Sequence, residues 1–219
     1  MSFTDSLIGL IAPHYCLGCQ AEGQLLCAGC LIKLPPAPSV CFACLQLTSN
    51  FQTCDSCQQV TLISTVWRVT PYAGLAKDLL WRLKFTGAQQ AAGVIAASFK
   101  NLHQPAASTV IVPLPTATSR VRQRGYDQAT LIAKAYAKAV HRDYLPCLAR
   151  LGQQHQRGAK RQARLEQLHQ AYRATRSVKG ANVLLVDDVA TTGASLQAAA
   201  QLLYQAGARR IDAIVFAQA

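Results

Sequence analysis

Val183-Leu184-Leu185-Val186-Asp187-Asp188-Val189-Ala190-Thr191-Thr192-Gly193-Ala194-Ser195 is the stretch that decides the fold. Its first four residues are an unbroken apolar run, which reads as a strand buried on both faces, the kind a parallel sheet contains. Two acids stand at the carboxyl end of that strand. A short loop of small and hydroxyl-bearing residues follows, and 195–206 then has helical periodicity up to Gly207. Ligands of open parallel sheets bind at the carboxyl edge of the strands. Thr191, Thr192, Gly193, Ala194 and Ser195 would place backbone amides and hydroxyls at a helix N-terminus, where unpaired donors and partial positive charge favour a phosphate dianion. Asp187 and Asp188 repel phosphate, but carboxylates accept hydrogen bonds from a cis-diol and so suit ribose 2′- and 3′-hydroxyls, with Mg²⁺ as an additional partner. A plain capped strand-to-helix turn would account for any one of these residues. The ordered set of two acids, two threonines, a glycine and a hydroxyl is more specific.

Further out, the pattern alternates. A β-branched strand is expected over 60–69, an amphipathic helix over 75–85 ended by Gly87, and a second helix near 89–102. An apolar strand at 109–113, helical periodicity over 125–141 and a last strand over 210–216 complete the series. Such alternation predicts an α/β fold, a mostly parallel sheet with helices on both faces. Between these elements, 150–176 carries seven bases against the single acid Glu166 and reads as a basic loop.

Eight of the nine cysteines form four C-x-x-C pairs: Cys16 and Cys19, Cys27 and Cys30, Cys41 and Cys44, Cys54 and Cys57. Each C-x-x-C turn aims two thiolates at one point, and two turns complete the tetrahedral sulfur shell preferred by structural zinc. About two zinc ions per chain are expected, ligated sequentially or in an interleaved order. A disulfide framework is the competing reading, and it belongs to secreted domains. Four thiolates leave no open coordination position, so such zinc is structural. Gly18 and Gly29 fall inside knuckles, where close backbone approach to sulfur is expected. Cys147 stands alone beside a proline and reads as a small buried apolar side chain. A stiff Leu34-Pro35-Pro36-Ala37-Pro38 spacer separates the two cysteine couples. The expected organisation is a double zinc-ribbon module over 1–60 and an α/β domain over 61–219.

Of a formal net charge of +12, residues 1–66 contribute one base and three acids, and 67–219 hold twenty-one bases against seven acids. The positive field therefore belongs to the α/β part and suits a polyanionic partner, either a phosphorylated small molecule or nucleic acid. No apolar run approaches the roughly 18 residues of a membrane span, and 1–13 lacks a basic flank, so no membrane insertion and a cytoplasmic location are expected.

The 183–195 stretch resembles the phosphoribosyl diphosphate (PRPP) motif of type I phosphoribosyltransferases. From Cys16-Leu17-Gly18-Cys19 through Tyr72-Ala73-Gly74, Leu83-Lys84-Phe85, Val112-Pro113-Leu114-Pro115, 120–128, Gln156-Arg157-Gly158 and Arg164, the chain resembles the ComF family of competence-associated proteins, the GntX-like relatives included. The resemblance implies PRPP or a related ribose phosphate as ligand, with Mg²⁺, and Leu114, Pro115 and Thr116 in a pyrophosphate loop. It also implies a lid over 154–172 and a part in natural transformation and DNA uptake. There the partners would be single-stranded DNA and a DNA-uptake helicase or recombination protein. Arg120, Arg122 and Arg124, expected along a loop, and Arg157, Lys160, Arg161 and Arg164, which share one face if helical, are the expected nucleic-acid contacts, with Tyr126 and Tyr172 stacking on bases. The alternative is an active phosphoribosyltransferase with an unidentified acceptor. No catalytic acid, base or nucleophile stands out, as expected where catalysis consists of positioning and charge neutralisation. His103, His141, His155 and His169 read as surface residues. Asp127 departs from the family, which usually has asparagine there; the exchange is expected to weaken diphosphate contact unless Arg124 or a metal pairs with the carboxylate.

Overall fold

The computed structural model describes residues 14–151 and 171–219. The cysteine-rich segment contains two single-turn helices, α1 (Ala28–Leu31) and α2 (Asp55–Gln58). After it come β1 (Val66–Pro71), α3 (Gly74–Phe85), α4 (Ala91–Leu102), β2 (Thr109–Pro113), α5 (Thr118–Arg124), α6 (Gln128–Val140), β3 (Leu148–Arg150), β4 (Tyr172–Ala174), β5 (Asn182–Ala190), α7 (Ala194–Gln205) and β6 (Arg210–Gln218).

Four strands form one parallel sheet in the order β1-β6-β5-β2. The apolar 183–186 run sits in an interior strand, and its period-2 alternation divides the core. Leu184 and Val186 face a cluster with Leu79, Leu83, Ile95, Phe99, Ile132 and Tyr136 from α3, α4 and α6. Val183 and Leu185 face the opposite cluster, with Leu196, Ala199 and Leu203 of α7. The sheet is thus covered on both sides, as a parallel ladder requires. Asp127 ends the approach to α6 by accepting from the Thr130 amide at 3.0 Å, an N-cap that fixes where the helix begins.

Three details differ from the sequence expectation. The first strand begins at Val66 and not at 60, because the β-branched residues before it pair elsewhere: the Thr53 amide donates to the Ser64 carbonyl at 2.9 Å, and Gln52 bridges Thr65. Residues 118–124 form helix α5 and no loop; none of its side chains is buried, so it has no apolar stripe to reveal it. At the edges of the basic stretch, β3 and β4 make a small antiparallel pair. The rest of that stretch, 152–170, lies outside the described residues, with Arg157, Lys160, Arg161, Arg164, His155 and His169. No described helix is long and apolar enough to cross a membrane.

Phe99 and Tyr136 meet edge-to-face at 5.5 Å between α4 and α6, both fully buried. Phe99→Ala should therefore cost about 3–5 kcal/mol, a transfer loss plus a cavity between two helices and the sheet. Urea titration would show it as a lower midpoint at unchanged slope.

Candidate functional site

The parallel register aligns Pro113 with Val186, and the Leu114 amide donates to the Val186 carbonyl at 2.9 Å. This places the loop after β2, with Leu114, Pro115 and Thr116, beside the acids of β5 at the carboxyl edge. Asp127 holds that loop: its second carboxylate oxygen accepts from the Thr116 amide at 2.7 Å, while the first caps α6. Both oxygens of the Asp127 carboxylate are thus occupied by main-chain donors. Next to it, Gln128 is buried with its Nε2 unpartnered among the described residues, and its Oε1 lies 3.4 Å from Thr116 Oγ1.

Gly193 is the N-cap of α7 at φ 71°. Thr191 and Thr192 on the loop are exposed, and Ala194 and Ser195 open the helix. The Asp188 carboxylate lies 2.6 Å from Lys84 Nζ, an ion pair from α3 across the edge of the sheet. Asp187 accepts from the Asp188 amide at 2.8 Å. Burial, and then the Asp188 charge, push the Asp187 carboxyl well above the ordinary carboxylate range. Lys84, Phe85, Gly87, Gln123, Arg124 and Tyr126 line a cavity of about 190 Å³ beside this pair. Arg124 lies over the Phe85 ring at 5.2 Å with its Nε buried and unpartnered among the described residues. Burial, and then Arg120, lower its pKa.

The sequence did not point to Lys84 as partner of Asp188, and no local signal could have, since the two are brought together only by the sheet. Of the expected stacking residues, Tyr172 is buried against Arg150, and Tyr126 is only partly exposed and donates its hydroxyl to the Leu83 carbonyl. The exposed aromatics nearby are Trp81 and Phe85, one turn apart on α3 with centroids 6.0 Å apart. Arg120 and Arg122 are exposed on α5. His103 is not a plain surface residue, for its ring stacks on Trp67 at 3.6 Å.

The cysteines gather as Cys16, Cys19, Cys27, Cys30 and as Cys41, Cys44, Cys54, Cys57, with the sulfurs of each group within 4.8 Å of one another. The sequential arrangement is therefore the one the fold adopts. Both groups repeat one local design. Cys16 and Cys41 each accept the amide of the residue four further on, Gln20 and Leu45, which sit at φ 61° and 64°; Cys27 and Cys54 each cap a single-turn helix. Sulfur separations of 3.7 Å (Cys19 to Cys27) and 3.6 Å (Cys44 to Cys54) match the ~3.8 Å edge of a tetrahedron with ~2.3 Å zinc–sulfur bonds. Burial opposes ionisation of Cys16, but amides of Cys27, Cys19 and Gly18 outweigh it and bring the thiol down to about 6; Cys41 is brought to about 6 in the same way by Cys54, Cys44 and Ala43. The two groups are thus fit to hold zinc. A side chain at Gly18 would meet Cys30 Sγ at 2.6 Å, so glycine is required there, while Gly29 has open space around it and no such requirement. Cys147 is fully buried, and burial raises its pKa.

Residues 129–219 match the phosphoribosyl transferase domain. Over nearly its whole length the chain is similar to competence protein ComFC of Bacillus subtilis (strain 168), 28% identical over 91% of this chain and 92% of that one. This similarity agrees with the resemblance to the ComF family carried by the sequence. The DNA utilization protein YhgH of Escherichia coli (strain K12) is 25% identical over 93% of this chain and 96% of that one. A structure of glutamine PRPP amidotransferase from B. subtilis overlaps 58% of this chain and 26% of that one, at 20% identity and a TM-score of 0.43.

Two measurements follow from the geometry. Native mass spectrometry should find two zinc ions per chain, and Cys16→Ser or Cys54→Ser should each remove one and lower the melting temperature, because lost coordination is lost folding free energy. A metal-free native mass would overturn the zinc assignment. The raised pKa of Asp187 means its contribution to stability is complete below the ordinary carboxylate pKa and is lost as pH rises through the elevated folded value. Asp187→Asn should then stabilise the ligand-free protein at neutral pH, by about 2–4 °C for each kcal/mol of desolvation relieved, and flatten the fall of its melting temperature as pH rises above the ordinary carboxylate pKa.

Proposed function

We propose that this chain binds PRPP with Mg²⁺ at the carboxyl edge of its sheet and acts in DNA uptake during natural transformation by holding single-stranded DNA. The observation that carries the ligand half is the side-by-side placement of the loops after β2 and β5, with an acid pair between them. In this reading Asp187 and Asp188 take the ribose hydroxyls, Thr191, Thr192, Gly193, Ala194 and Ser195 the 5′-phosphate, and Leu114, Pro115 and Thr116 the diphosphate. Lys84 already shields one carboxylate, and Mg²⁺ would offset the other, whose buried charge is otherwise costly.

For the DNA half, the support is an exposed pair of aromatics, Trp81 and Phe85, beside exposed arginines at 120 and 122 and the partly buried Arg124. A basic track interleaved with open aromatic faces is what single strands require, since bases stack and phosphates pair. The expected arginines and lysine of 157–164 fall outside the described residues and stay part of the proposal on sequence grounds. The names of the two relatives, a competence protein and a DNA utilization protein, agree with this role. The cavity of about 190 Å³ beside Asp188 favours one further reading, an active phosphoribosyltransferase whose acceptor enters between α3 and α5.

Magnesium–PRPP should raise the melting temperature by selective binding to the folded state, about 2.7 kcal/mol at a hundredfold excess over Kd, and Asp187→Ala with Asp188→Ala should abolish the shift. An equal shift in the double variant would reduce the acids to helix-end charges. Anisotropy with a labelled oligo-dT should show steeply salt-dependent affinity. Arg120→Ala with Arg122→Ala should flatten the salt slope, whereas Trp81→Ala should weaken binding by about 1–3 kcal/mol at unchanged slope. Absence of binding at low salt would remove the DNA half and leave the transferase reading, for which release of diphosphate from PRPP is the assay.

A further inference from the structure

The second cysteine group is wedged against the 191–195 loop. Phe42, between Cys41 and Ala43, is 8% exposed and shares a buried cluster with Leu114, Ala190 and Leu196. The tip of its ring abuts Gly193: a Cβ added there would come 1.7 Å from Phe42 Cζ and 2.5 and 2.6 Å from its two Cε atoms. Gly193 is therefore glycine for two reasons, the positive φ of 71° and a neighbour that fills the space of any side chain. No other described glycine is approached so closely.

Phe42 is itself held from below and behind. Arg68 of β1 is fully buried and has no carboxylate partner among the described residues. One Nη donates to Gln218 Oε1 at 2.7 Å, the other to the carbonyl of Val40, next to Cys41, and the guanidinium lies 5.4 Å from the Phe51 ring. Burial lowers the Arg68 pKa, and the charge of Cys41 opposes that shift. A buried cation with only neutral acceptors is costly unless a negative group is near, and four thiolates on one Zn²⁺ carry two net negative charges. On the far side, Thr61 exchanges hydrogen bonds of 2.6–2.8 Å with Gln197, whose amide donates to the Gly193 carbonyl. The first cysteine group has a different neighbourhood: Cys16 and Cys30 are buried with Leu79, Leu83 and Ile95 on the other face of the sheet.

We propose that Phe42 is the positioning residue of the 191–195 loop and that the metal-held second cysteine group, braced by Arg68, sets the conformation and ligand affinity of that loop while the first group does not. As far as ligand affinity is concerned, this rests on the reading of the loop as a phosphate site. The conformational part stands without it.

Hydrogen exchange on the ligand-free full chain tests the conformational part. Phe42→Ala should speed exchange of the 193–196 amides roughly tenfold while native mass spectrometry still counts two zinc ions, and Phe42→Tyr should restore slow exchange. The second arm compares two exposed ligands at equivalent places, Cys19 and Cys44. Cys44→Ser should speed exchange at 193–196, and Cys19→Ser should leave it unchanged. Unchanged exchange in Phe42→Ala, or equal effects of the two serine variants, overturns the proposal. Should Phe42→Ala lose a zinc ion or unfold, the cysteine comparison alone decides. Magnesium–PRPP affinity should fall about tenfold in Phe42→Ala. If the wild-type chain binds no PRPP while the exchange pattern holds, the phosphate reading fails and the positioning role survives.

Discussion

Parallel pairing of β5 with β2 on one side and β6 on the other is the constraint from which the rest of the molecule follows. Parallel strands put all their carboxyl ends on one edge and need both faces covered. The first consequence brings Leu114 next to Val186 and so gathers two loops from distant parts of the chain around Asp187 and Asp188. The second recruits α3, α4 and α6 to one face and α7 to the other, and α3 carries Lys84 to the acids. The site is a by-product of the ladder's polarity.

A pair of adjacent acids at the end of a buried strand is unfavourable for the fold. Asp188 is relieved by direct pairing with Lys84, whereas Asp187 has a backbone amide and only the more distant charge of Lys84, and burial and its neighbour's charge outweigh them and hold it towards the neutral form. Arg124 and Gln128 add buried nitrogens without partners among the described residues close to the same edge. Folded proteins rarely tolerate several such groups together, and they concentrate where a ligand completes the set. The electrostatics therefore support the same reading as the topology, by an independent route.

What the sequence showed and what it withheld divide along physical lines. Period-2 and period-3.6 patterns, the knuckle spacing and the 183–195 stretch are local signals, and they disclosed the α/β class, both cysteine groups and the principal loop. Helix α5 was hidden because it has no buried apolar face, and β1 was placed too early because β-branched residues mark extended chain without saying what it pairs with. Lys84 with Asp188, Phe42 on Gly193 and Arg68 beneath Val40 join residues whose meeting only the tertiary fold creates. Tyr126 and Tyr172 show the opposite error: their aromatic type suggested stacking, but a hydroxyl bond and burial occupy them.

Asp127 shows how one departure from a family pattern is to be weighed. Each of its two oxygens accepts a backbone amide, one from Thr130 at the start of α6 and one from Thr116 in the loop after β2. An asparagine has a single carbonyl oxygen, and its amide nitrogen cannot accept, so it could hold one of these donors and not both at this geometry. The carboxylate thus ties the loop to the helix more firmly, with charge-assisted bonds of about twice the neutral strength. It does so by using the Thr116 amide, which is then no longer available to an anion, and by adding negative charge beside any diphosphate. The Thr116 hydroxyl is itself directed to Gln128 Oε1 at 3.4 Å. In this chain the residue at 127 holds the loop after β2 and the start of α6 together through two main-chain donors.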